Sequence, residues 1–157
     1  MQVDPRLAEI KDCLYRLAVR AFIFHENKVL FTQEKEAGRW AFPGGGLKYG
    51  EDAPHALLRK LSEELGAPEA EIKTNLQIVH VNTGVAVDGI PRANLFYRVE
   101  IPMGRVRAIN DNPKLHWFAL SDITPQNLAL YVDPSTNAAS EFIKVIETQA
   151  AQVLGSP

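Results

Sequence analysis

Apolar and polar positions change period several times along the chain, and each change marks an element. From Tyr15 to Phe24, Leu17, Val19, Ala21 and Ile23 alternate with Arg16, Ala18, Arg20 and Phe22. Period two predicts a strand. Glu26-Asn27 supplies a polar turn and Lys28 to Thr32 a second strand, so a hairpin is expected. A charged loop runs from Gln33 to Arg39, followed by Trp40-Ala41-Phe42-Pro43 and the glycine run Gly44-Gly45-Gly46. Asp52 to Leu65 then takes a helical period. At about 100° per residue, Leu57, Leu58, Leu61 and Leu65 share an arc of roughly 100°. Pro54 suits the first turn of that helix, and Gly66 with Pro68 its stop. Ile72–Thr83 and Ala93–Ile101 predict two long strands, with Asp88-Gly89 in the loop between them. Met103–Pro113 reads as an irregular loop, Leu115–Ala119 as a short strand and Leu120–Leu130 as a segment holding a helical turn. Thr136–Val153 predicts a last helix, and residues 4–12 a short first one opened by Asp4-Pro5. Mixed helices and hairpin-linked strands predict an α/β domain with helices packed on a mixed sheet.

Composition narrows the function classes. The chain of 157 residues is expected to form one domain, residues 1–157. Its 46% hydrophobic and 23% charged residues are ordinary for a globular protein and argue against disorder. Lys plus Arg is 17, Asp plus Glu is 19, and the net charge is −2, so no basic footprint for nucleic acid is expected. The lone cysteine, Cys13, has no disulfide or zinc partner and points to a reducing, cytoplasmic setting. No run approaches the apolar length of a membrane span, and Met1–Asp12 is too charged for a signal peptide.

The chemistry concentrates between Pro43 and Ala67. Three glycines let the backbone turn sharply and approach a ligand closely, and a helix follows directly. Glu63 and Glu64 lie on the helix face beside the leucine stripe, with Glu64 bordering Leu57. A partly desolvated carboxylate favours a bound cation, and two carboxylates beside a glycine loop suit a hard ion such as Mg²⁺. The plainer reading also stands: Arg59–Glu63 and Lys60–Glu64 are i,i+4 pairs that suit a solvated helix face.

The whole stretch resembles the box of the Nudix hydrolase family, G-x5-E-x7-R-E-U-x-E-E-x-G-U, where U is bulky and apolar. Gly45, Glu51, Arg59, Leu61, Glu63, Glu64 and Gly66 match at the required spacings, and Ala67 is a small stand-in at the last position. The preceding Trp-Ala-Phe-Pro-Gly and the later Leu115–Ile123 stretch also look like the family. The resemblance implies an α/β/α sandwich with a mixed β-sheet. It implies Mg²⁺- or Mn²⁺-dependent hydrolysis of a diphosphate bond in a nucleoside diphosphate linked to another group. Metal ligands would be Glu63, Glu64 and a backbone carbonyl at Gly44, with Glu51 and Arg59 supporting the loop–helix geometry. The partner is then a small nucleoside diphosphate derivative, and a homodimer is compatible with the family.

One position departs from the pattern. The box calls for Glu after Arg59, and this chain has Lys60, a swing of two charges beside Glu63 and Glu64. Lys48 also stands where relatives often place an acid. Glu at both positions would take the net charge from −2 to −6. Three readings stay open: a site that works with fewer metal ions, a Lys60 ammonium that partly replaces a metal and touches phosphate, or a catalytically impaired nucleotide-binding or regulatory module. The resemblance offers Asp111, in the loop before the last strand, as a general base; an ordinary turn aspartate is the alternative. Glu100 is a weaker candidate for that base. Candidates for substrate contact outside the box are Arg20, Arg39 and Arg92, with Trp40 or Tyr97 as stacking surfaces. His55, His80 and His116 read as surface or packing residues.

Overall fold

The computed structural model describes residues 14–33, 40–85, 89–107 and 114–155. The predicted first helix, Cys13, Arg39 and Asp111 lie outside them. Among the described residues, eight strands and two long helices form in the order β1 (Arg16–Phe22), β2 (Phe24–His25), β3 (Lys28–Gln33), β4 (Trp40–Ala41), β5 (Gly44–Gly46), α1 (Ala53–Leu65), β6 (Ile78–Val85), β7 (Pro91–Arg98), β8 (Lys114–Ala119) and α2 (Asn137–Leu154).

The first alternating run is not one strand. It breaks at Ile23, and its halves join different sheets. β1 enters a sheet of order β5-β1-β7-β6, in which β1 and β7 run parallel and the other neighbours antiparallel. The hairpin partner of β3 is the two-residue β2, closed by Glu26 and Asn27 at φ +45° and +60°. Two consecutive left-handed residues match the twist of a tight hairpin. β3 also pairs with β4 and, along its whole length, with β8. The predicted strand from Ile72 starts only at Ile78; ahead of it, Lys73 bridges Glu100 across an irregular stretch. The segment after β8 carries two short 3-10 turns, Leu120–Asp122 and Pro125–Leu128.

Alternation places the two helices on opposite faces of the first sheet. Val19, Ala21, Tyr97 and Val99 pack with Leu57, Leu61 and Leu65 of α1. Phe22 and Phe96 point the other way, into an aromatic cluster with Phe42, Tyr131 and Phe142 of α2. This is the α/β/α layering, with a mixed sheet at its centre.

α1 starts and ends where its sequence directs. Asp52 caps it by accepting the His55 amide hydrogen, Pro54 lies in the first turn, and Gly66 closes it at φ +68° with its N–H donating to the Ser62 carbonyl. Ala56, Leu57, Leu61 and Leu65 are the buried stripe, with Leu58 at its margin. Orienting this stripe toward β1 leaves Arg59, Lys60, Glu63 and Glu64 at the rim, next to β5.

Candidate active site

The glycine run forms an edge strand, in register Arg20↔Gly44, Val19↔Gly45 and Ala18↔Gly46 with β1. Gly44 has φ +136°, and a Cβ there would stand 2.1 Å from the Val19 carbonyl oxygen, so only glycine fits. Its amide donates to Glu64 Oε2 at 3.0 Å. The end of α1 is therefore tied to the first glycine by a half-buried carboxylate.

A second tie joins the loop to the same helix. Arg59 donates from Nε to Glu51 Oε1 and from Nη2 to Glu51 Oε2, both at 2.6 Å. The Lys48 amide adds a 2.9 Å bond to Glu51 Oε2. The Arg59 and Glu51 side chains are only 18% and 15% exposed. These bonds, from Arg59 first and Lys48 second, hold the Glu51 carboxyl down to about 2. Arg59 is correspondingly held protonated, chiefly by Glu51. A bidentate fork of this kind fixes geometry as well as charge.

Glu63 is shared between two cations. Arg59 Nη1 lies 3.2 and 3.3 Å from its oxygens, and Lys60 Nζ lies 3.4 Å from Oε2. Partial burial pushes the Glu63 carboxyl up, but the contacts to Arg59 and Lys60 outweigh it and leave it below its ordinary value. The i,i+4 spacing suggests a Lys60–Glu64 pair; the Lys60 contact found is to Glu63, one residue nearer.

Hard oxygen donors remain at the rim: the Glu63 and Glu64 carboxylates beside the glycine backbone. Among the described residues, no group of three His, Cys, Asp or Glu side chains is placed to hold a metal. Two carboxylates nevertheless fit Mg²⁺, which keeps several waters and commonly takes one or two protein carboxylates plus substrate phosphate.

The candidates outside the box separate. Arg20 is not a surface ligand for substrate. It is 6% exposed, donates from Nη1 to the Phe42 carbonyl at 3.0 Å, and lies 5.8 Å from the Tyr131 ring. The Tyr131 hydroxyl accepts the Phe42 amide hydrogen at 2.8 Å, so these two side chains hold the segment entering the glycine run. Tyr97 is buried against α1 and offers no stacking face. Trp40 is half-buried, edge-on to Phe118. His55 bonds Asp52 at 2.6 Å, His80 stacks on Phe142, and His116 packs on Phe118. Glu100 sits in the Lys73 bridge.

Arg92 is half-buried on β7 opposite Arg16 of β1. Arg16 itself is a residue that the sequence reading passed over. Its exposed guanidinium crosses Gly46, where a Cβ would meet Nη2 at 3.0 Å. The available signal was weak: an arginine in the same alternation phase as Arg20, with nothing to show that a glycine would lie beside it.

The NUDIX domain family matches residues 14–137. An RNA pyrophosphohydrolase of Francisella tularensis is 27% identical over 132 residues, covering 82% of this chain and 74% of that protein. A putative 8-oxo-dGTP diphosphatase 2 of Mycobacterium tuberculosis is 34% identical over 87 residues, covering 55% and 58% of the two chains. Among solved structures, an Ap4A hydrolase of C. elegans in a binary complex superposes with a TM-score of 0.68 at 16% identity, covering 90% of this chain and 99% of that one. At that identity the likeness shows the fold alone.

Proposed function

Because this chain belongs to the NUDIX domain family, we propose that it is a hydrolase of a diphosphate bond in a nucleoside diphosphate linked to another group, dependent on Mg²⁺ or Mn²⁺. The observation that carries the reading is the pair of ties around the glycine strand: Glu64 on the Gly44 amide, and Glu51 forked by Arg59. They hold carboxylates at fixed places beside the glycine strand, where Lys60 and Arg16 lie over Gly45 and Gly46. Relatives named pyrophosphohydrolase and diphosphatase support the same bond type.

A phosphoanhydride resists attack because its oxygens repel a nucleophile. A divalent ion held by Glu63 and Glu64 supplies charge neutralisation and a more acidic bound water. The chain's own contribution is positional. Glu51 and Arg59 fix the loop against α1, Arg20 and Tyr131 fix Phe42, and Arg16 and Arg92 offer guanidinium groups for a leaving phosphate. Asp111 is retained as the proposed general base. No helix among the described residues is long and apolar enough to cross a membrane; the cytoplasmic setting is part of the proposal and rests on the single cysteine.

The test is a substrate panel: nucleoside triphosphates, nucleotide sugars, ADP-ribose, dinucleoside polyphosphates and, given one relative's name, 5′-triphosphorylated RNA. Phosphate or pyrophosphate release is followed with Mg²⁺ or Mn²⁺. Turnover that falls about 100-fold or more in Glu64→Gln is expected. The Lys60–Glu63 contact favours a second reading, an impaired nucleotide-binding module. Nucleotide binding without turnover anywhere in the panel would select it.

A further inference from the structure

Lys60 lies against the glycine strand. Its stem crosses Gly45, where a Cβ would meet Cε at 3.0 Å, Cδ at 3.1 Å and Nζ at 3.6 Å. The side chain is 28% exposed, against 67% for the solvated Lys144 on α2. Gly45 leaves the space that this lysine fills. Consecutive glycines thus carry opposite charges: Glu64 on the Gly44 amide and Lys60 across Gly45.

The local charge limits what else can enter. Among the described residues, the box side chains Glu51, Glu63 and Glu64 supply three negative charges and Arg59 and Lys60 two positive ones, leaving −1 before the Arg16 guanidinium over Gly46 is counted. Arg59 is occupied by its fork to Glu51 and its contact to Glu63. A first divalent ion brings the cluster to +1. A second would have to enter a cluster already positive, beside a carboxylate that two cations share. The Lys60 ammonium has three donors, and the 3.4 Å contact to Glu63 engages one.

Resting on the reading of the site as a diphosphate hydrolase, we propose that Lys60 is a resident cation of the site: its ammonium takes the place of a second divalent ion and binds the substrate's diphosphate oxygens directly. The chain then binds one divalent ion where a carboxylate at position 60 would let it bind two.

Two measurements test this without turnover. The first counts bound Mn²⁺ by the loss of its free electron-paramagnetic-resonance signal. One ion per chain is expected for the wild type and for Lys60→Gln, and two for Lys60→Glu. The second titrates methylenediphosphonate, a non-hydrolysable diphosphate, in EDTA and follows the Gly45 and Gly46 amide resonances. Affinity is expected to fall about 10-fold in Lys60→Gln and to stay within about 3-fold in Lys60→Arg. Amide spectra of each variant report that it is folded. An unchanged Mn²⁺ count in Lys60→Glu overturns the proposal, and so does unchanged diphosphate affinity in Lys60→Gln. Failure of the hydrolase reading is separate, since it shows as no turnover across the substrate panel or as turnover that survives Glu64→Gln.

Discussion

Gly44→Ala is the sharpest single perturbation of this site. Gly44 has φ +136°, and its missing Cβ would stand 2.1 Å from the Val19 carbonyl oxygen, where real Cβ contacts do not fall below 3.0 Å. The backbone of β1 or β5 must therefore move by about 0.9 Å, the difference between those two distances. Positive φ costs an L-residue about 1–2 kcal/mol, and overpacking adds about 1–3 kcal/mol. At roughly 2–4 °C per kcal/mol for a chain of this size, the melting temperature should drop by roughly 4–20 °C. Gly50→Ala is the control. Its φ of +77° carries the conformational cost, but its Cβ would meet nothing within 4 Å. It should lose roughly 2–8 °C by the same conversion. Thermal melts of both variants by circular dichroism make the comparison. The reasoning fails if Gly44→Ala melts no lower than Gly50→Ala, because the clash would then have no cost. Turnover should fall with it, since the displaced amide is the one that Glu64 accepts from.

Other consequences are as direct. Glu51 is held near 2 against an ordinary 4.5, so the unfolded chain binds the extra proton between those values. Its contribution to stability is complete above about 4.5 and is lost as pH falls toward 2; acid titration of Glu51→Gln should show a shallower fall across that window. An equally steep fall in the variant would show that Glu51 is not responsible. Tyr131→Phe strips the buried Phe42 amide of its acceptor. A loss of about 1–3 kcal/mol is expected by chemical denaturation, and an unchanged midpoint would refute it. His80, stacked on Phe142, has its imidazole pushed down by burial. Its ring protons should titrate below 6.5 by NMR, and a midpoint at or above 6.5 would contradict the packing.

The local elements were legible because their causes are local. Asp52, Pro54, Gly66 and the leucine stripe define α1 within one stretch of chain. The spacing of Glu51, Arg59, Glu63 and Glu64 likewise marks the site, because those residues meet through one loop and one helix. Other features depend on contacts between distant segments. Nothing in the alternation of residues 15–24 shows that the run changes sheets at Ile23; that break follows from β2 pairing with β3 while β1 pairs with β5 and β7. Arg20, an arginine on a strand, reads as a candidate ligand until Phe42 and Tyr131 close around it from 22 residues away and from the far end of the chain.

The sequence by itself determined the α/β class, the glycine run, the box and its odd lysine, since each is a matter of residue type and spacing. Only the tertiary structure decided what each charge faces. Glu64 takes the Gly44 amide, Lys60 fills the space over Gly45, and Arg16 lies over Gly46. The reason is physical: a carboxylate or an ammonium is defined by its partner within a few ångströms. Those partners are brought together by burying the leucine face of α1 against β1, which no spacing rule along the chain contains.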